Sequence, residues 1–140
     1  MRIRCEPRPH DPMTPTQAAL SALTLCSAML AATPAQAQAI DVVWPDNGRY
    51  SLSNDLPAGQ TLELCSKLGS GTRITWAFVG SGPTDFNIRY HLGQLALYSV
   101  RLKQATRGQQ VLRVAAEQTF CWMWTNTGST PVALKLSLLR

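Results

Sequence analysis

The sequence is poor in the side chains that most catalysis requires. Histidine occurs twice in 140 residues, at His10 and His91, and acidic residues number eight. A catalytic histidine needs a nucleophile within hydrogen-bond reach and a group to orient it. Ser81 and Ser99 fall in ordinary turn and strand contexts, and no Gly-x-Ser-x-Gly elbow occurs. Gly69-Ser70-Gly71 and Gly80-Ser81-Gly82 are followed by no helix that would supply a phosphate site. His91, with Asp85 or Met123 as companions, makes a poor ligand supply, so no metal and no cofactor are expected. Paired carboxylates are a further catalytic device. Spacing alone does not say which of Asp41, Asp46, Asp55, Glu63, Asp85 and Glu117 meet, and Asp46 and Asp55 sit beside turn residues for backbone reasons. The expectation is a protein that is not an enzyme.

Long apolar runs are also missing. The longest uncharged apolar stretch, residues 18–32, spans 15 residues, short of the roughly 20 that a membrane helix needs. Arg2, Arg4 and Arg8 precede it, and Thr33-Pro34-Ala35-Gln36-Ala37-Gln38-Ala39 follows it. Charged, apolar and small residues in that order read as a secretory signal peptide over residues 1–37, cleaved after Ala37 or Ala39. Glu6 and Asp11 dilute the basic start, and Met13 is an alternative first residue. A lipidation site at Cys26 is disfavoured because the bulky Leu25 precedes it. No second such run follows, so residues 40–140 are expected to form one soluble domain without a transmembrane segment. The small-x-small cleavage site suits a bacterial leader and places the domain in the periplasm or the extracellular space.

Four cysteines are present. Cys5 and Cys26 would leave with the leader, which leaves Cys65 and Cys121 as one pair and one possible intramolecular bridge. An oxidising compartment closes such pairs; two buried thiols are the alternative. The bridge would span 56 residues of sequence, worth about 4 kcal/mol in the chain-entropy account. Beyond the leader ten Lys and Arg outnumber six Asp and Glu. The basic residues are scattered, as on a solvated surface. An exported chain meets little nucleic acid, so none is expected as partner; a weak preference for anionic glycans or lipid headgroups fits the excess.

What the sequence does have is alternation. Ile74, Trp76 and Phe78 share one phase, as do Phe86, Ile88 and Tyr90, and Val132, Leu134, Leu136 and Leu138. This is the mark of half-buried strands. Further strands are expected at 41–44, 49–53, 60–66, 95–102, 109–115 and 119–126. Turn clusters separate them, including Gly69-Ser70-Gly71, Gly80-Ser81-Gly82-Pro83, Arg107-Gly108 and Thr127-Gly128-Ser129. The fold class is all-β: an antiparallel β-sandwich of about eight or nine short strands with one disulfide. In the last aromatic strand Phe120, Trp122 and Trp124 face the core, while Cys121, Met123 and Thr125 take the other side. Cys65 is likewise out of phase with Leu62 and Leu64, so a bridge would lie on the outer face of the sheet or tie an edge.

These elements resemble a known family. A strand ending in Cys65 is followed by Gly71-Thr72-Arg73-Ile74-Thr75-Trp76-Ala77-Phe78, by Thr84-Asp85-Phe86-Asn87-Ile88-Arg89-Tyr90-His91, and by Phe120-Cys121-Trp122-Met123-Trp124-Thr125-Asn126. Residues 60–139 thereby resemble the GOLD (Golgi dynamics) domain, a small β-sandwich with an early and a late cysteine. The resemblance implies a Cys65–Cys121 disulfide and a turn starting at Asn126. The coiled coil, transmembrane helix and cytosolic tail of the family's cargo receptors have no counterpart here, so cargo-receptor function does not carry over. The implied role is an exported, non-catalytic binding or assembly module of the cell envelope, with a protein, peptide or glycan as ligand; the alternatives are a structural accessory subunit and, in third place, a small hydrolase. Trp44, Tyr50, Tyr90 and Tyr98 are the candidate binding aromatics, of the kind that stack on sugars or peptides beside Arg89 or Arg101. Edge-strand pairing is a second route to a partner.

Overall fold

The computed structural model describes residues 37–140. Except for Ala37, the leader of residues 1–37, with Cys5, Met13 and Cys26, lies outside the described residues. Seven strands follow: β1 (Ala37–Asp41), β2 (Arg49–Leu56), β3 (Thr61–Leu68), β4 (Arg73–Leu92), β5 (Leu95–Arg113), β6 (Gln118–Thr125) and β7 (Val132–Leu139). Among the described residues no helix is long and apolar enough to cross a membrane.

All seven strands belong to one sheet in the order β1-β3-β6-β4-β7-β2, with β5 on β4. The sheet curls into two layers because β4 changes neighbours along its length. Thr75–Gly80 pair with β7, and Asp85–Arg89 pair with β6. Layer I is therefore β1, β3, β6 and the second half of β4; layer II is β2, β7 and the first half of β4. Strand β5 follows β4 through both. The layers meet where Phe78 of layer II packs edge-on against Trp124 of layer I, with ring centroids 5.8 Å apart. Trp76, Phe78, Phe86 and Trp124 form the aromatic centre of the core. Trp122 is buried beside them; the indole N–H groups of Trp76, Trp122 and Trp124 meet no protein acceptor, and nothing in the fold accounts for that cost.

The all-β class and the single disulfide agree with the sequence reading, whereas the strand count does not. Nine short strands become seven because two pairs of them fuse. Gly80-Ser81-Gly82-Pro83 is no hairpin turn; it is the bend inside β4, where the register with β5 slips between Val79 and Thr84. A Cβ on Gly80 would lie 2.8 Å from the Gly82 carbonyl oxygen. A bulge is also a place where a strand tolerates proline. Arg107-Gly108 lies inside β5, with Gly108 opposite Phe78. The first strand is also displaced, to Ala37–Asp41, and it runs parallel to β3, so the sheet is mixed.

Candidate functional site

Cys65 and Cys121 face each other across β3 and β6 and are bonded, with Cα atoms 4.1 Å apart. The alternation had placed both out of phase with the core, and the bridge does lie on the outer face of layer I. Glu63 neighbours it, but two oxidised sulfurs leave no thiolate for a metal. Arg89 donates to Glu63 at 3.3 Å on the same face. Lys103 pairs with Asp85 at 2.6 Å, and Lys67 with Glu117 at 2.8 Å. Hydrogen bonding from the Lys103 ammonium, aided by the Gln104 backbone and side-chain N–H groups, holds the Asp85 carboxyl below its ordinary range despite partial burial. His91 is exposed on the same strand as Asp85, six residues and about 20 Å away. Among the described residues the side-chain partners of Asp85 are Lys103 and Gln104.

The four candidate aromatics do not form one patch. Trp44 donates its indole N–H to Ser66 Oγ at 2.8 Å and carries the Arg140 guanidinium over its ring. Tyr50 is half-buried against the core. Tyr90 closes the core end of β4, 5.1 Å from the Phe120 ring. Tyr98 is exposed on the opposite side of the β4–β5 hairpin, with Arg101 stacked on it at 3.6 Å.

Tyr90 opens onto a feature that sequence reasoning missed. Strand β4 leaves β6 after Arg89, yet the β4–β5 hairpin continues to its turn at Gly93-Gln94. Gly93 has φ 59°, as the first residue of a tight hairpin turn of the II′ kind requires. The overhang leaves a cleft of about 250 Å³ at the open end of the sandwich, lined by Tyr90, Leu92, Ser99, Arg113, Gln118 and Phe120 among others. Leu92 shares the inward phase of Tyr90, pairs with Leu95, and the two are 50% and 60% exposed. The signal was present in the sequence: Leu92-Gly93-Gln94-Leu95 puts leucine on both sides of a surface turn, where polar residues are the rule. The cleft offers an apolar floor, a hydroxyl and a cation. That set suits recognition.

No family model matches the chain, and no curated protein matches it. Solved structures do. One is PliG of Aeromonas hydrophila, a periplasmic lysozyme inhibitor of g-type lysozyme: TM-score 0.53 and 14% identity, covering 74% of this chain and 97% of that one. Another is the pre-peptidase C-terminal domain of a collagenase from Bacillus anthracis: TM-score 0.52 and 10% identity, covering 76% and 98%. Identities this low make the likeness one of fold.

Proposed function

We propose that the chain is an exported, non-catalytic binding module of the cell envelope that docks a protein partner with the open end of its sandwich. The observation that carries this is the overhanging hairpin: solvent-exposed Leu92 lines an aromatic-floored cleft, and its exposed partner Leu95 stands beside it at the turn. Apolar side chains left outside a core in this way mark an interaction site. Tyr90 and Phe120 are the anchor type that dominates protein interfaces, and Arg113 supplies a polar rim. The fold shared with PliG supports the reading, and it makes a g-type lysozyme the first partner to try. The Cys65–Cys121 bridge supports export, since such bonds persist in oxidising compartments. Both the bridge and the turn at Asn126 also accord with the GOLD-like reading. Cleavage after Ala37 would retain β1 from Gln38 onward, whereas cleavage after Ala39 would remove three of its five residues. The mass of the exported protein, starting at Gln38, checks this.

The direct test is a photo-crosslinking residue at position 95 in cells, with one at position 127, in the loop after β6, as control. A discrete protein adduct is expected at 95 and not at 127. Leu92→Asp should abolish it without lowering thermal stability. No adduct at 95, or an equal one at 127, would overturn the proposal.

A further inference from the structure

The ten Lys and Arg of residues 37–140 divide by layer. Lys67, Arg89 and Lys103 are in ion pairs. Arg101 stacks on Tyr98, and Arg140 lies over Trp44. The remaining five are Arg49, Arg73, Arg107, Arg113 and Lys135. All five are exposed, and strand register places every one of them on the outer face of layer II. That face is a four-strand grid. Arg73 and Arg113 sit directly opposite each other at its end. The next row is Arg49, Leu139, Thr75 and Val111; the next is Ser51, Ser137, Ala77 and Gln109; the next is Ser53, Lys135, Val79 and Arg107. Asp55, in the row beyond, is the one acid of these strands on this face.

Two features go beyond a solvated surface. Like charges directly opposite on neighbouring strands are destabilising, yet Arg73 and Arg113 are so placed, and among the described residues neither makes an ion pair with a carboxylate. The apolar side chains of the same grid are also unusually open: Val79, Val111 and Leu139 are 60%, 37% and 36% exposed. Between the charged rows runs a trough of small residues, a shallow depression over Ala77 and Ser137. Strand spacing makes the grid about 14 Å wide and about 20 Å long. It holds no aromatic side chain to stack on a sugar or to anchor a protein.

We propose that this face binds an anionic lipid surface. The cations meet headgroup phosphates, and Val79, Val111 and Leu139 reach the headgroup–acyl boundary, the combination by which peripheral proteins lie on membranes. The module would thus be held flat on a bilayer, with Arg113 standing where this face meets the cleft. The charges scatter along the sequence because a sheet face gathers residues from four strands; only the register brings them together.

The test is sedimentation with phosphatidylcholine vesicles, with and without phosphatidylglycerol, at low and high salt. The protein should bind only vesicles that contain phosphatidylglycerol and come off at high salt. Arg73→Gln/Arg107→Gln/Lys135→Gln should bind at least roughly ten-fold more weakly, since each cation near the surface counts. Lys67→Gln/Lys103→Gln/Arg101→Gln, which removes the same net charge from layer I and β5, should bind as the unaltered protein does. Circular dichroism confirms the folding of both variants. Absence of binding to the anionic vesicles overturns the proposal, as does an equal loss in the two triple variants. Neither triple variant alters a residue that lines the cleft, so the crosslink at position 95 is read separately.

Discussion

Asp85 shows how a single carboxylate holds an irregular backbone in place. Gln104 is the one described non-glycine residue with positive φ, at 49°, a conformation L-residues seldom adopt. Asp85 Oδ1 accepts from the Gln104 backbone N–H at 3.0 Å and from its side-chain amide at 3.2 Å, while Oδ2 accepts from Lys103. Lys103 is largely exposed, so its pairing adds little on its own. The hydrogen bonds to a charged acceptor contribute more. The folded-state pKa of Asp85 lies below its ordinary value. Its contribution is therefore complete at neutral pH, above the unfolded pKa, and is lost as pH falls through the lowered folded value. Asp85→Asn should cost about 1 kcal/mol at pH 7. The cost should vanish in acid, below the lowered folded pKa. Urea melts of both proteins at neutral and strongly acidic pH check this; a difference that persists in acid would show that the carboxylate charge is not what holds Gln104. Asn126, fully buried, works similarly without charge. It donates to the carbonyls of Leu56 and Thr130 and accepts from the Gly128 N–H, which fixes the turn into β7.

At the scale of elements, the β4–β5 ribbon decides the architecture, and its glycines serve space as much as turning. A Cβ on Gly108 would lie 2.6 Å from Phe78 Cε1 and 3.0 Å from Trp76 Cζ3. Both rings are buried at the aromatic centre and cannot swing away. Gly108→Ala should therefore destabilise by about 1–3 kcal/mol, the usual penalty for overpacking. Gly69→Ala meets nothing within 4 Å and has no positive φ. It should be neutral or gain up to about 1 kcal/mol by restricting the unfolded chain. Opposite signs in two chemically identical substitutions would be read directly from denaturant midpoints. A neutral or favourable effect at both positions would mean that Phe78 and Trp76 yield to the added methyl group. This contrast also marks what the sequence made legible. Alternation located the core residues Leu62, Leu64, Ile74, Trp76, Phe78, Phe86, Ile88, Trp122 and Trp124, because a half-buried strand prints its inner face at period two. It could not tell a glycine that turns the chain from one that makes room for a ring, since that depends on a partner 30 residues away. For the same reason alternation marks Phe120 as core alone and does not show that it meets Tyr90 at the cleft. The overhang exists only because β6 stops pairing with β4 at Arg89.

At the scale of the whole molecule, one continuous sheet implies one cooperative unit. Every strand is hydrogen-bonded into it, and β4 carries the pairing from layer I to layer II without a break in the chain. Neither layer buries its aromatic face alone; Phe78 needs Trp124 as much as the reverse. The Cys65–Cys121 bond, 56 residues apart in sequence, links adjacent strands of layer I. In the native state those strands are already paired, so the bond acts chiefly by restricting the unfolded chain, to the extent of about 4 kcal/mol. For a domain of this size that corresponds to about 20 °C in Tm. Because both layers unfold together, the loss should fall on the whole sandwich and not on layer I alone. Replacing both cysteines, Cys65→Ser/Cys121→Ser, should lower Tm by about that amount while keeping a single transition, with tryptophan fluorescence and far-UV circular dichroism coincident. Two separated transitions would show instead that layer II, with β2, β7 and the first half of β4, holds its own core, and that the bend at Gly80-Ser81-Gly82-Pro83 is a hinge between independent units.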